Sequence, residues 1–271
     1  MSEKEKKVSE KEKKEMSFLD HLEELRWHIV RAAIAVIAIA ISVFSLKKFV
    51  FENIVFAPKK DSFPTYQFFC NLSEKTCFSP PELEIIPRQL GEQFFTHLKV
   101  SFWLGIVIAF PYILWEVWKF IKPGLYQNEK KAARGFVIVC SLLFLTGVIF
   151  GYYVITPFGL TFLGNYSVGS ETINSTSLES YINYLTMFTI PTGFVFELPI
   201  IVYFLSRIGV VTPELMRKFR KHAFVLILIL AAVITPPDVL TQFLIGVPVF
   251  FLYEISIYIS KRVHKKYHSN D

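Results

Sequence analysis

The sequence contains none of the short motifs that mark the common enzyme classes. It has no Gly-rich phosphate loop, no paired metal-ligand spacing and no motif that places a Ser/His/Asp arrangement. Its six His are scattered along the chain, which is typical of surface or interface residues rather than metal ligands. We therefore expect no enzymatic activity, no bound metal and no cofactor.

The N-terminal end lacks the apolar region of a secretory signal peptide. Residues 1–17 are mostly Lys, Glu and Ser, a composition that predicts a disordered, solvated tail. The chain also lacks an internal repeat, so a transporter built from inverted repeats gains no support. The net charge of +6 indicates orientation signals rather than a nucleic-acid partner, because long apolar blocks occupy most of the chain.

These apolar blocks predict an all-α integral membrane protein. Of the 271 residues, 52% are hydrophobic, and blocks of about 20 residues match a hydrocarbon core of about 30 Å. Each block must be helical, because hydrocarbon offers no partner to an unpaired backbone N–H or C=O. The six predicted spans are 29–46, 100–121, 135–155, 184–205, 223–234 and 239–259. They form one membrane domain, 18–260, between a charged tail, 1–17, and a second tail, 261–271.

The positions of Lys and Arg predict the orientation of these spans. All but seven of the 29 basic residues fall in the two tails, at the start of the first span, or in and beside the second and fourth connections. The seven lie in or beside one long loop: Lys47, Lys48, Lys59, Lys60, Lys75, Arg88 and Lys99. The positive-inside rule therefore predicts that both termini are cytoplasmic.

Two of the three cysteines, Cys70 and Cys77, lie in that long loop. On an oxidising face they would close a small loop worth about 2–3 kcal/mol in the chain-entropy model. The compartment favours a disulfide, and the alternative is a pair of free thiols. Cys140, in the third span, is interpreted as an inert apolar packing residue.

Glu197 is an ionisable residue inside a predicted span. It lies roughly 4–5 Å from the bilayer midplane at about 1.5 Å per residue, where a charge costs about 2.5–3.5 kcal/mol on insertion scales. Pro191 and Pro199 bracket it, and each removes a helical hydrogen bond. The pattern predicts a kinked helix with a carboxyl at the kink, which is either a polar docking point or proton site, or a structural hydrogen bond between helices.

The segment before the first span has an amphipathic pattern. Phe18, Leu22 and Leu25 continue to Ile29 on one helical face, which predicts a helix that lies at the membrane interface and leads into the first span. Glu24 and Glu129 then face the same side of the membrane. Spacing alone allows either a binding role or ordinary surface charge.

Five motifs occur in order along the chain, each at a defined place in this topology. They are Phe18-x-Asp20-His21-Leu22-x-Glu24-Leu25-Arg26; Phe110-Pro111-Tyr112 with Trp118-x-Phe120-x-x-Pro123-x-Leu125-Tyr126-x-x-Glu129; Phe196-Glu197-x-Pro199; Thr235-Pro236-Pro237-Asp238-x-x-x-Gln242; and Pro248 through Tyr253-Glu254-Ile255. Each alone is a weak signal, but five in this order are highly specific. From the amphipathic segment to the end of the sixth span, the chain resembles the TatC family.

The resemblance implies a receptor and core subunit of the twin-arginine protein translocase in the bacterial plasma (inner) membrane. Such proteins bind the twin-arginine signal peptides of folded precursors and recruit single-span TatA- and TatB-type subunits for export driven by the proton-motive force. It also implies a concave cup with short fifth and sixth helices, and a homo-oligomer within a receptor complex in membrane lipid.

Site residues follow by motif position. Glu24 and Glu129 would receive the paired arginines, with Phe120 and Tyr126 shaping the site, and planar guanidinium groups do favour bidentate carboxylate contacts. Glu197 would meet a polar group of a partner helix or of the signal peptide. Contacts to partners at the outer end would involve Pro58, Asp238 and Gln242.

Two residues depart from the family pattern. His28 stands where the family usually has another basic residue, and Glu116 adds a carboxylate that Lys119, three residues later, would neutralise. Three alternatives remain: a secondary transporter that uses Glu197 for proton coupling, a structural membrane scaffold, and an intramembrane enzyme. The transporter would need a polar substrate site, yet five of the six spans lack a central ionisable residue.

Overall fold

The structure, a computed structural model, describes residues 18–121, 133–167, 169, 175–234 and 239–267. The predicted tail 1–17, residues 268–271 of the second tail and three of the predicted site residues, Tyr126, Glu129 and Asp238, lie outside these ranges. The described helices are α1 Phe18–Ser45, α2 Lys47–Val50, α3 Pro64–Leu72, α4 Glu92–Ile121, α5 Ala133–Phe150, α6 Thr156–Asn165, α7 Leu178–Val195, α8 Leu198–Arg207, α9 Pro213–Lys218, α10 Arg220–Ile234 and α11 Val239–Tyr267. Short π-helical turns follow α2 at Phe51–Val55 and α5 at Gly151–Ile155, and a 3-10 turn covers Ala57–Lys59.

Five stretches of helix among the described residues are long and apolar enough to cross a membrane. They are His21–Ser45, Glu92–Phe120, Gly135–Asn165, Leu178–Arg207 and Thr241–Lys265. Each overlaps one predicted span. The remaining predicted span, 223–234, lies in α10, which has only 15 residues. The count of six spans and the orientation therefore stay predictions.

The amphipathic segment does not form a separate helix at the interface. It is the first part of α1, which runs without a break from Phe18 to Ser45. No Pro or Gly occurs within those residues, so no residue in the segment favours a bend between an interfacial and a spanning part. The segment therefore leads directly into the first span, as predicted, whereas its position at the interface stays a prediction.

Glycines allow two pairs of helices to approach closely. A Cβ added at Gly105 of α4 would lie 3.0 Å from the Cβ of Ala40 and from the carbonyl oxygen of Val36, both on α1. A Cβ added at Gly147 of α5 would lie 2.8 Å from the Cα of Gly193 on α7. Small residues at crossings bring backbones together in membrane helices, so these glycines fix how α1 packs on α4 and α5 on α7.

The end of the molecule beyond α1 contains the only departure from an all-α chain among the described residues. Two three-residue strands, β1 Glu84–Ile86 and β2 Ser175–Ser177, pair in parallel, with Ile85 opposite Thr176. The prediction of purely helical structure missed them, because runs of three residues carry no usable hydrophobic period. The strands join the long loop to the residues that begin α7.

Glu92 fixes this junction. Its carboxylate accepts hydrogen bonds from the backbone N–H groups of Arg88, Gln89 and Glu179, the last at 2.8 Å. Glu179 lies in the first turn of α7, where backbone donors have no partner within the helix. One buried carboxylate at the start of α4 therefore holds the strand region and the start of α7 together.

Candidate functional site

An apolar groove runs along the contact between α1 and α4. Its volume is about 730 Å³. The lining side chains are Leu25, His28, Ile29, Ala32, Ala33, Val36, Ile37, Phe102, Ile106, Ile113, Glu116, Val117 and Phe120. The polar members, His28 and Glu116, lie together near one end of the groove. The groove therefore has a polar end, and the rest of it is apolar.

Glu116 is the centre of the polar end. Only 1% of its surface is exposed. One carboxylate oxygen lies 2.7 Å from Nδ1 of His28 and 3.9 Å from Nη1 of Arg31, and the other lies 2.7 Å from Nζ of Lys119. The contact with Lys119 is the one that the sequence predicted. The surrounding basic groups offset the cost of burying this charge.

Glu24 lies one helical turn before His28 and keeps a free oxygen. Its Oε1 lies 4.0 Å from Nε2 of His28, whereas its Oε2 is buried and has no hydrogen-bond partner among the described residues. Phe120 closes the same end: its ring stacks on His21, with centroids 4.3 Å apart, and meets His28 edge-on at 6.2 Å. The structure thus brings Glu24 and Phe120 together around His28. Tyr126 and Glu129 lie outside the described residues.

Glu197 lies at a break between two helices. Helix α7 ends at Val195 and α8 begins at Leu198, so the helix is interrupted at Phe196 and Glu197, between Pro191 and Pro199. Glu197 is buried, its Oε1 has no hydrogen-bond partner among the described residues, and Cys140 of α5 faces its carboxyl. An unpaired polar atom in the interior is unfavourable. A hydrogen bond from an incoming polar group to this Oε1 would therefore be stabilising.

Two other predicted contact residues already serve the fold. Pro58 is buried in the 3-10 turn, and its carbonyl accepts a hydrogen bond of 3.0 Å from the hydroxyl of Tyr66. Burial raises the pKa of Tyr66, so the hydroxyl stays a donor. Gln242 donates from Nε2 to the carbonyl of Leu228, 2.9 Å away, and so links α11 to α10. Asp238 lies outside the described residues.

The contact between His28 and Glu116 was missed by sequence reasoning. His28 and Glu116 are 88 positions apart, and each was noticed separately as a departure from the family pattern. A signal was present, because Glu24, His28 and Arg31 follow one another at intervals of four and three and so share one face of α1. No group of three or more His, Cys, Asp or Glu within the described ranges is placed to hold a metal ion.

Comparison with known proteins identifies one family, which matches most of the chain. The family model described as Sec-independent protein translocase protein (TatC) matches residues 20–248. The Sec-independent protein translocase protein TatC of Blattabacterium sp. subsp. Periplaneta americana is 38% identical over 262 residues, which are 94% of this chain and 98% of that protein. TatCy of Bacillus subtilis is 34% identical over 252 residues, which are 93% of this chain and 91% of that protein.

A solved structure agrees with these relatives. The crystal structure of the twin arginine translocase receptor TatC has 34% sequence identity and superposes with a TM-score of 0.71. The match covers 90% of this chain and 99% of that one. The motifs, the arrangement of helices and the relatives together show that this chain belongs to the TatC family.

Proposed function

We propose that this chain is the receptor and core subunit of a twin-arginine protein translocase. It binds twin-arginine signal peptides of folded precursors and recruits single-span TatA- and TatB-type subunits for export driven by the proton-motive force. Family membership and the likeness to a twin arginine translocase receptor support this function. The chain acts as a multi-span protein of the bacterial inner membrane, as a homo-oligomer in a receptor complex, with both termini in the cytoplasm.

Glu24 and Glu129 recognise the two arginines in this proposal. The observation that carries it is the buried Oε2 of Glu24, an acceptor without a hydrogen-bond partner among the described residues. A guanidinium group donates two parallel hydrogen bonds to a carboxylate, so one signal arginine would satisfy this oxygen. Glu129, which follows Phe120 in the same motif, receives the other arginine, and Phe120 and Tyr126 shape the space between them.

Glu116 is not the receptor for the arginines, although it lies close by. Basic groups from His28, Arg31 and Lys119 already surround its carboxylate. A further guanidinium group would be repelled by these basic groups, and it would find no carboxylate oxygen without a partner. Glu24 has one contact at 4.0 Å and a free oxygen, so it offers the stronger attraction.

The apolar part of the signal peptide follows the arginines into the groove. From Leu25 to Ile37 the lining residues of α1 are almost all aliphatic, and α4 contributes Phe102, Ile106 and Val117. A signal peptide carries an apolar region after its basic one. The polar end and the apolar trough therefore occur in the order that such a peptide needs.

Glu197 supplies a second polar contact inside the membrane domain. Its unpaired Oε1 would take a hydrogen bond from a polar group of a partner helix or of the signal peptide. Asp238 lies near partner contacts at the outer end. Pro58 and Gln242 act there by holding the contact surface in place, because their polar groups are engaged within the chain.

Crosslinking of a twin-arginine peptide to the purified full-length protein in nanodiscs tests the site. Glu24→Gln and Glu129→Gln should each weaken peptide binding about tenfold, the loss of a charge-assisted hydrogen bond. Glu23→Gln is the matched control, because Glu23 is the exposed neighbour of Glu24 on the same helix. A Lys-Lys peptide should respond less to both variants. Equal binding by all three variants and the unaltered protein would rule the site out.

A further inference from the structure

A second pocket lies at the opposite end of α1 from Glu24. Its volume is about 610 Å³. The residues that line it come from α2 and the turns that follow it, the long loop, the start of α4 and the start of α7. They are Lys47, Phe51, Phe56, Lys59, Lys60, Ile85, Pro87, Gln93, His97 and Leu178. We name it the Lys47–His97 pocket.

The charge of the Lys47–His97 pocket has one sign. Three of its described lining residues are lysines, and none of them is Asp or Glu. Lys60 already donates to the backbone carbonyl of Glu52, 2.7 Å away. Lys47 and Lys59 therefore remain as the main cationic groups that could meet an anion.

His97 adds a buried nitrogen to this pocket. Its ring stacks on Phe44, with centroids 3.9 Å apart, and meets Phe51 edge-on at 5.5 Å. The residue is 6% exposed, and its Nε2 is buried without a hydrogen-bond partner among the described residues. A buried nitrogen with no partner is unfavourable in a finished protein interior, so it indicates a polar group that is supplied from outside the chain.

Exposed apolar side chains belong to the same segments as the residues that line the pocket. Large apolar side chains around it are more than two-fifths exposed: Leu46 57%, Phe49 60%, Phe94 56%, Phe95 68% and Leu98 44%. Helix α4 has 30 residues, hence about 45 Å of length against a hydrocarbon core of about 30 Å. Its first turns therefore extend to headgroup depth, where exposed aromatic rings are favoured.

We propose that the Lys47–His97 pocket binds the phosphate headgroup of an anionic phospholipid. Lys47 and Lys59 attract the negative charge, and Nε2 of His97 accepts a hydrogen bond from a headgroup hydroxyl group. The walls formed by Phe51, Phe56 and Leu178 contact the apolar atoms of the same molecule. A zwitterionic lipid fits less well, because its own cation would compete with the two lysines.

Native mass spectrometry of the full chain tests this proposal. The protein is released from nanodiscs that contain equal amounts of phosphatidylglycerol and phosphatidylcholine, and retained lipid is counted. The unaltered protein should retain phosphatidylglycerol selectively. Lys47→Gln with Lys59→Gln should lower its affinity about fivefold for each lysine removed. His97→Phe, which keeps an aromatic ring but removes Nε2, should also lower it.

Lys48→Gln with Lys75→Gln is the matched control. These exposed lysines lie at the same end of the molecule and change the charge equally, but they do not line the pocket. Equal retention by the two double variants would overturn the proposal, as would equal retention of both lipids by the unaltered protein. A third arm adds inorganic phosphate without lipid. Binding of phosphate as tight as that of phosphatidylglycerol would make the pocket a site for a soluble anion and the lipid assignment wrong.

Discussion

The Nδ1 atom of His28 on α1 lies 2.7 Å from Oε2 of Glu116 on α4. From the motifs, both residues are expected to depart from the pattern of the TatC family, and the structure shows that they are partners. The basic residue expected at position 28 is replaced by a His, and the added carboxylate lies against it. The ring of Phe120 meets His28 edge-on, with centroids 6.2 Å apart, so the pair lies directly beside Phe120.

Replacing Glu116 by Gln should destabilise the packing of α1 on α4. The amide removes the negative charge that Lys119 and His28 share, at a cost of about 1–3 kcal/mol for a buried partner lost. Thermal unfolding of the purified protein measures the effect. In a His28→Gln background the same change should cost less, because contacting residues are energetically coupled. Strictly additive effects of the two changes would contradict the pairing.

The sequence was sufficient to predict the long helices and the family, but it predicted fewer of the contacts within the site. Long apolar blocks and five ordered motifs predicted where the long helices lie, because hydrocarbon restricts the chain to helix. Pro191 and Pro199 predicted the break at Glu197 for an equally local reason. The spacing of Glu24, His28 and Arg31 indicates which face of α1 carries them. It does not identify Glu116 as the partner, because that contact depends on the rotation of α1 against α4, which no single segment encodes.

The junction at Glu92 shows the same limit. Its carboxylate accepts backbone donors from residues 88 and 179, whose approach depends on how the long loop returns to α7. Burial of a Glu at this position has no signature in the sequence, since Glu at the start of a helix is ordinary. The strands β1 and β2 were missed for a related reason, because their pairing is between distant segments.

Glu92→Gln should loosen the junction between the long loop and α7. An amide keeps one oxygen acceptor but places N–H donors against the backbone N–H groups of Arg88, Gln89 or Glu179, so at least one bond is lost, at about 1–3 kcal/mol. Faster amide hydrogen exchange at residues 84–92 and 175–180 is the expected readout. Glu84→Gln is the control, because Glu84 is exposed on β1. Unchanged exchange in Glu92→Gln would show that the carboxylate does not hold the junction.

Gly147→Ala should destabilise the crossing of α5 and α7. The new methyl group would lie 2.8 Å from the Cα of Gly193, and backbone cannot move aside as a flexible side chain can. Overpacking of this kind costs about 1–3 kcal/mol. The control is in the same helix: a Cβ added at Gly135 meets nothing within 4 Å. Gly135→Ala should be neutral or stabilising, and equal effects of the two changes would argue against a tight crossing.

Cys70 and Cys77 should be bonded to each other in the oxidised protein. They form a disulfide in the structure, whereas Cys140 is free and buried. Mass spectrometry of unfolded, non-reduced protein should therefore find one alkylatable thiol rather than three. Cys70→Ser with Cys77→Ser should lower stability by about 2–3 kcal/mol in the chain-entropy model. Three alkylated cysteines before reduction would contradict the prediction.

Helix α10 should thin the bilayer beside it and so favour short partner helices at that edge. Its 15 residues give about 22 Å of helix against a hydrocarbon core of about 30 Å. A short span is accommodated by thinning, by long polar side chains that reach the interface, or by association, at fractions of a kcal/mol per Å. Sharing the thinned region with an equally short partner helix lowers the combined cost, so the two should gather there. Insertion of four Leu after Leu230 adds about 6 Å and should reduce recruitment of single-span partners, measured by co-purification. The same insertion after Leu143 in α5, a longer helix, controls for the disturbance of an inserted turn. If the lengthened α10 recruits partners as well as the unaltered protein does, thinning plays no part and the proposed contacts at Asp238, Gln242 and Glu197 suffice for recruitment.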